Sequence, residues 1–170
     1  MGRAADGKLV IDNRPGVIRE SCEASLERLQ TDRIDLFYLH RIDRNVPIEE
    51  SMGAMAELVQ TGKVRHVGLS EPGAATLRRA HAVHPVAAVQ SELSLWTQSA
   101  ASEVLDACRE LGIGFVAYSP LGRGFLTGAI GSTEDLADGD TRRMFPRFAP
   151  GNLVSNLEMA RRIGALAVRF

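Results

Sequence analysis

The chain has 170 residues, 45% of them hydrophobic, with 20 basic and 21 acidic residues and a formal net charge of -1. That is enough apolar material for one core, and hence one domain, while the dispersed, balanced charge builds no basic face for nucleic acid or an anionic membrane. No apolar run approaches the ~20 residues of a spanning helix, and the amino terminus lacks a secretory pattern, so the reading is a soluble, cytoplasmic protein with neither membrane nor nucleic acid as partner.

The turn Asn13-Arg14-Pro15-Gly16 is followed by Val17, Cys22, Leu26 and Leu29 at helical spacing. Pro15 suits a first helical position, where its missing N–H is no loss. Next comes "RIDLFYLHRID". Its run Ile34 to Leu39 is short, branched, aromatic and nearly continuous in apolar character, as expected of a strand buried on both faces in a helix-covered parallel sheet. Asp35, at the strand entry, reads as a partner for a nearby base or as a turn cap.

Pro47 opens a second helix with Met52, Met55, Leu58 and Val59 as its stripe and Glu49-Glu50 in its first turn, where negative charge is stabilising. Gly62 stands just past its end, where a left-handed cap is needed. The strand "VRHVGLS" follows, and His66 is read as preceding the strand proper. A third helix, about Ala74 to Ala82, leads through His84-Pro85 to "VAAVQSELSLW". A fourth, about Ser102 to Leu111, closes at Gly112 before "IGFVAYSPLG". His81 and His84 sit at a helix end, where a cation complements the helix dipole, and the histidines do not converge on a metal. Cys22 and Cys108 lie far apart within helical patterns, without zinc or redox spacing, and read as small core residues; Trp96 reads as core too.

Strands separated by helices at about 23 to 30 residues have the length scale of βα units. The segment after the last strand, "GRGFLTGAIGSTEDLADGDTRRMFPRFAPGN", reads as a long loop rich in glycine and charge, a class that is commonly functional. Leu153, Leu157, Ala160, Ile163 and Leu166 then mark an amphipathic helix expected to run to Phe170. An eight-unit barrel takes ~250 residues. With four βα units visible, the chain is expected to be a section of something larger, incomplete at both ends.

Gly122, Gly124 and Gly128 do not have the G-x-G-x-x-G spacing, and no G-K-[ST] ending is present. Backbone amides exposed after a strand end would nevertheless suit an anion; the alternative is a simple turn. The strand ends carry more information. His40, Ser70, Gln90 and Tyr118 each close a separate strand, so a parallel sheet would gather them at its carboxyl end, where α/β proteins bind ligands. Each alone has a structural alternative: Ser70 as a helix cap, Gln90 as a partner for backbone groups, Tyr118 as core with its hydroxyl at the rim.

In this order, "DRIDLFYLHRID", "GKVRHVGLSE", "VQSELSLW" and "GFVAYSPLGRGFLTG" resemble the middle of an aldo-keto reductase, most closely the bacterial branch related to potassium-channel β subunits. The likeness extends over essentially the whole chain. It implies an α/β fold, a partial TIM (β/α)8 barrel of about four parallel strands with alternating helices over residues 1–170. It also implies NADP(H) bound in extended form without a Rossmann fingerprint, and reduction of an aldehyde or ketone to an alcohol by hydride transfer.

By position, His40 resembles the family histidine that hydrogen-bonds the substrate carbonyl oxygen, where a donor stabilises charge developing in the transition state. Ser70 and Gln90 resemble the residues that hold the nicotinamide carboxamide. Glu71, the next residue of that cofactor set, stands where Asn or Arg is often found. Tyr118 resembles the aromatic residue stacked on the nicotinamide ring, and Ser119, Pro120, Leu121, Gly122 and Arg123 resemble the loop along the pyrophosphate; Ala129 stands where some relatives carry lysine.

The resemblance places the family's aspartate, proton-donating tyrosine and lysine on strands before His40, and most of the adenosine-phosphate pocket after Phe170. The two tyrosines here, Tyr38 and Tyr118, match neither, so turnover by these residues alone is expected to be impaired. A half-barrel also leaves two open sheet edges that invite self-association. The rival readings are a non-catalytic NADP(H)-binding or interaction module, an inactive remnant, and an unrelated open α/β fold. His40, where channel subunits can carry asparagine, favours the enzyme.

Overall fold

The computed structural model describes residues 2–3 and 9–168, which form two compact units: one reaches from the amino terminus to Glu92 and resumes over Gln98–Tyr118, and the other comprises Leu93–Thr97 and the residues from Ser119 onward. In the first unit, β1 (Gly2–Arg3) and β2 (Leu9–Val10) pair antiparallel. The main sheet has four parallel strands, β3 (Ile34–Leu39), β4 (Val64–Ser70), β5 (Val86–Glu92) and β6 (Gly114–Tyr118), in the spatial order β3-β4-β5-β6. Helices α1 (Pro15–Leu29), α2 (Ile48–Gln60), α3 (Ala74–Val83) and α4 (Ser99–Leu111) alternate with them. Sequential order with a helix at every crossover is that of a partial (β/α)8 barrel, as expected.

The element boundaries follow local chemistry. Pro15 occupies the first turn of α1. Gly62 (φ +77°) and Gly112 (φ +68°) supply the left-handed residues after α2 and α4 that the sequence pattern requires. One face of the sheet supplies Phe37, Leu39, Val67, Leu69, Val89 and Phe115 to a core completed by helix residues such as Cys22, Met52, Met55, Leu77 and Ala107. Cys22 and Cys108 are buried free thiols, as small core residues should be.

The strand β3, expected to be buried on both faces, is not: Asp35 and Leu36 are exposed, and only Leu39 is fully buried. Among the described residues β3 pairs with β4 alone, and its apolar run packs against helices only through alternate residues. Asp35 makes the expected ion pair, 3.1 Å from Arg65. His66, expected to precede the strand, lies inside β4 opposite Leu36 and is exposed, because pairing with β3 begins at Val64. His81 stands in the last turn of α3, as expected, and its Nδ1 accepts the Val86 amide at 3.2 Å.

In the second unit the expected long loop is a succession of 3₁₀ turns, Phe125–Thr127, Thr133–Asp135, Thr141–Met144 and Pro146–Phe148, followed by α5 (Pro150–Ala167). These turns close on their own core of Phe125, Ile130, Leu136, Phe148 and Leu153. Trp96 meets the Phe125 ring edge-on at 4.6 Å, and Phe125 meets Phe148 at 5.7 Å. Leu153, Leu157 and Ala160 of α5 join this core, whereas Leu166 is exposed. The expected end of this helix at Phe170 lies outside the described residues.

Candidate functional site

Because β3 to β6 are parallel, their carboxyl ends lie on one side of the sheet, and the register brings the expected residues together there. Leu39 pairs with Leu69, so His40 and Ser70 follow at the same level. Ser70 pairs directly with Gln90, and Glu92, two residues beyond Gln90, pairs with Tyr118. With adjacent strands ~4.8 Å apart and side chains alternating between faces, Ser70, Gln90 and Tyr118 share the face opposite the helix-covered core. Tyr38, opposite Gly68, lies on that face too. A cleft of about 300 Å³ between α1 and β3 is lined by Ile18, Arg28, Phe37, Tyr38, His40 and Arg41, among others.

Around these ends runs a polar network. Ser70 is buried, and its Oγ accepts from the Arg41 guanidinium at 3.3 Å. The same Nη1 donates to the His40 carbonyl oxygen at 3.1 Å, which fixes Arg41 across the tops of β3 and β4. Ser70 therefore does not cap α3: Gly73 stands at that N-cap, with no side-chain bond. Neither the His40 imidazole nor the Gln90 side-chain amide has a hydrogen-bond partner among the described residues, so Gln90 is not engaged with backbone groups, and both are available to a ligand.

Glu71 leaves β4 in the left-handed region (φ +53°), a conformation strained for a residue with a side chain. Its amide donates to the Gln90 carbonyl at 3.0 Å, and its Oε1 accepts the Glu92 amide at 2.9 Å. Burial raises the Tyr118 phenol above its usual value, and the neighbouring Glu71 carboxylate pushes it further in the same direction, with Arg41 opposing. Tyr118 thus stays a neutral phenol beside a carboxylate. The sequence identified Glu71 only by its place after Ser70; Arg41 and Glu92 it did not identify, since no spacing rule marks a residue whose partners come from other strands.

The loop after β6 stands in the second unit. Ser119 (φ +50°), Gly122 (φ +58°), Arg123 (φ +59°) and Gly124 (φ +88°) wind it through repeated left-handed steps. The amides of Gly122, Gly124, Phe125 and Leu126 donate to Ser119, Leu121, Gly122 and Leu121 respectively. Those four N–H groups are therefore taken up within the loop, and the expectation of amides free to hold an anion fails for them. Pro120 has no N–H to offer. The Arg123 guanidinium stacks on the Phe145 ring at 4.3 Å, and its Nε is buried without a partner. Asp140 grips Arg142, which in turn donates to the Arg123 carbonyl at 3.3 Å; this ion pair pulls the Asp140 carboxyl down to about 2.

Among the described residues, no three or more His, Cys, Asp or Glu side chains cluster where they could hold a metal ion. No described helix is long and apolar enough to cross a membrane.

The model of the aldo/keto reductase family matches residues 4–169. Among solved structures, the glycerol dehydrogenase of Gluconobacter oxydans is 30% identical, with a TM-score of 0.87 over 99% of this chain and 52% of its own. A provisionally assigned 2,5-diketo-D-gluconic acid reductase B is 31% identical, with a TM-score of 0.63 over 71% of this chain and 46% of its own. A thermostable aldo-keto reductase solved with the inhibitor epalrestat is 32% identical, with a TM-score of 0.61 over 65% and 42%. The chain spans about half the length of the solved relatives it matches.

Proposed function

The chain belongs to the aldo/keto reductase family, and on that premise we propose that it carries the histidine and the nicotinamide half of a site for NADPH-dependent reduction of an aldehyde or ketone to its alcohol in the cytoplasm. The observation that carries this reading is the Ser70–Gln90 register pair, with the unengaged Gln90 amide beside the buried Ser70 hydroxyl and His40 following the neighbouring strand. A primary carboxamide needs an acceptor and a donor side by side, and this pair supplies both. The residues present therefore fit a nicotinamide.

When bound, the cofactor supplies the hydride. Ser70 and Gln90 hold its carboxamide and so fix which ring face meets the substrate, an orientation effect. The Tyr118 ring offers a stacking surface, and Glu71, tied to the Glu92 amide, braces Tyr118 instead of contacting the carboxamide. A ring N–H of His40 donates to the carbonyl oxygen, where negative charge grows as the C=O bond is reduced, so the bond strengthens toward the transition state. In the second unit, taken by itself, Ser119, Pro120, Leu121, Gly122 and Arg123 are the residues that the family resemblance assigns to a pyrophosphate, with Arg123 as the cationic member. These 170 residues carry no match to the family's proton-donating set, so binding is the stronger readout and turnover by them alone is reduced. The edges at β3 and β6, each paired on one side among the described residues, are where further strands or a second copy would add.

Fluorescence titration of the purified chain with NADPH, alongside a carbonyl-reduction assay, tests the reading. Saturable binding weakened about tenfold by Ser70→Ala or Gln90→Ala supports it. Absence of saturable binding, or binding indifferent to both substitutions, overturns it. Binding without any turnover favours a cofactor-binding module over an enzyme.

A further inference from the structure

Arg41 follows His40 directly, yet its guanidinium turns to the neighbouring strand, where Nη1 donates to Ser70 Oγ at 3.3 Å and to the His40 carbonyl at 3.1 Å. From this geometry we infer that Arg41 is a positioning residue that sets the polarity of the Ser70 hydroxyl, making Ser70 a one-way hydrogen-bond donor toward the ligand bound over the strand ends. The inference rests on the reading of Ser70 as a carboxamide contact.

The argument is one of donor counting. A serine hydroxyl has one proton to give and two lone pairs to receive, and the proton rotates to suit its surroundings. A guanidinium is donor-only and keeps its charge at every accessible pH. Once Arg41 occupies a lone pair of Oγ, the O–H bond cannot point back at it and is turned toward the open side of the strand end. Ser70 is 3% exposed, so water cannot freely compete for its remaining valences.

A hydroxyl fixed as donor selects an acceptor, the carbonyl oxygen of a carboxamide, over its NH₂ group. The neighbouring Gln90 amide, unengaged among the described residues, can then accept from the NH₂. Arg41 thereby removes the ambiguity between the two flipped orientations of a carboxamide and fixes which ring face is presented. The bond to the His40 carbonyl, at the same nitrogen, anchors the guanidinium to the backbone and leaves the imidazole untouched.

A double-mutant cycle tests this, with NADPH dissociation constants read by fluorescence for the wild type, Arg41→Met, Ser70→Ala and the double variant. If Arg41 acts through Ser70, Arg41→Met weakens binding by about three- to tenfold in the wild type, while in the Ser70→Ala background it has no further effect. Arg41→Lys, which keeps the charge but not the fork, recovers part of the loss.

Fully additive effects, or an Arg41→Met variant that binds as the wild type does, overturn the inference and leave the carboxamide site standing. If Ser70→Ala does not weaken binding, or the wild type does not bind, the site assignment itself falls and the inference with it. Circular dichroism of each variant, together with the Arg41→Lys arm, separates a folding defect from a positioning one. A folding defect would lower the melting temperature of Arg41→Met and Ser70→Ala alike and would not vanish in the double variant.

Discussion

Tyr38 lies across Gly68. The two residues are cross-strand partners in β3 and β4, and a Cβ at residue 68 would stand 2.5 Å from the Tyr38 ring, nearer than real contacts allow. Glycine at 68 is therefore what lets the phenol lie flat on the sheet face, two residues from His40.

Gly68→Ala is expected to destabilise the chain by about 1–3 kcal/mol, because the ring must leave its place and cannot be compressed. Urea denaturation followed by circular dichroism measures this. Tyr38→Ala should rescue much of the loss in the double variant, since the two residues touch and their effects do not add.

His40→Ala is expected to leave NADPH binding within about twofold of the wild type while lowering carbonyl reduction by roughly 10²-fold, the scale of a lost oxyanion donor. Steady-state rates alongside the fluorescence titration check both halves. An equal loss in binding and rate would instead assign His40 to the cofactor.

Glu71→Gln is expected to lower the Tyr118 pKa, because the neighbouring carboxylate disfavours the phenolate; burial, the larger cause, still holds it above the ordinary value. With only Tyr38 and Tyr118 in the chain, ultraviolet titration in a Tyr38→Phe background reports Tyr118 alone. The folded pKa is raised, so the contribution to stability is complete below the unfolded value near 10 and is lost as pH rises through the folded one. Glu71→Gln should make that alkaline loss smaller, because the folded value moves back toward the unfolded one.

Asp140 gives the opposite sign. Its carboxyl is held down to about 2 by Arg142, so the Asp140–Arg142–Arg123 linkage is intact above the usual value of 3.8 and fails as pH falls through the depressed one. Trp96, the one tryptophan, packs on Phe125 in the same unit and reports its integrity. Its emission should hold steady down to about pH 4 and shift only below that. Asp140→Asn, which keeps a cap but neither the ion pair nor the titrating carboxyl, should remove this acid-dependent shift.

Periodicity and punctuation in the sequence determined the order β3-α2-β4-α3-β5-α4-β6. The helical stripes, the caps at Gly62 and Gly112 and the apolar strand runs are local signals, set by what three or four consecutive residues can do. Four strand-end residues, His40, Ser70, Gln90 and Tyr118, were legible for the same reason: in a parallel sheet the end of each strand is known once its direction is.

Only the tertiary structure decided the rest. That β3, paired with β4 alone among the described residues, exposes Leu36, that Arg41 reaches Ser70 on another strand, that Glu71 answers to Tyr118 and Glu92, and that the glycine-rich segment closes a core of its own all depend on which distant residues become neighbours. Contacts between strands are fixed by register and packing, and these bring together side chains about twenty to fifty residues apart whose local sequence carries no mark of the meeting.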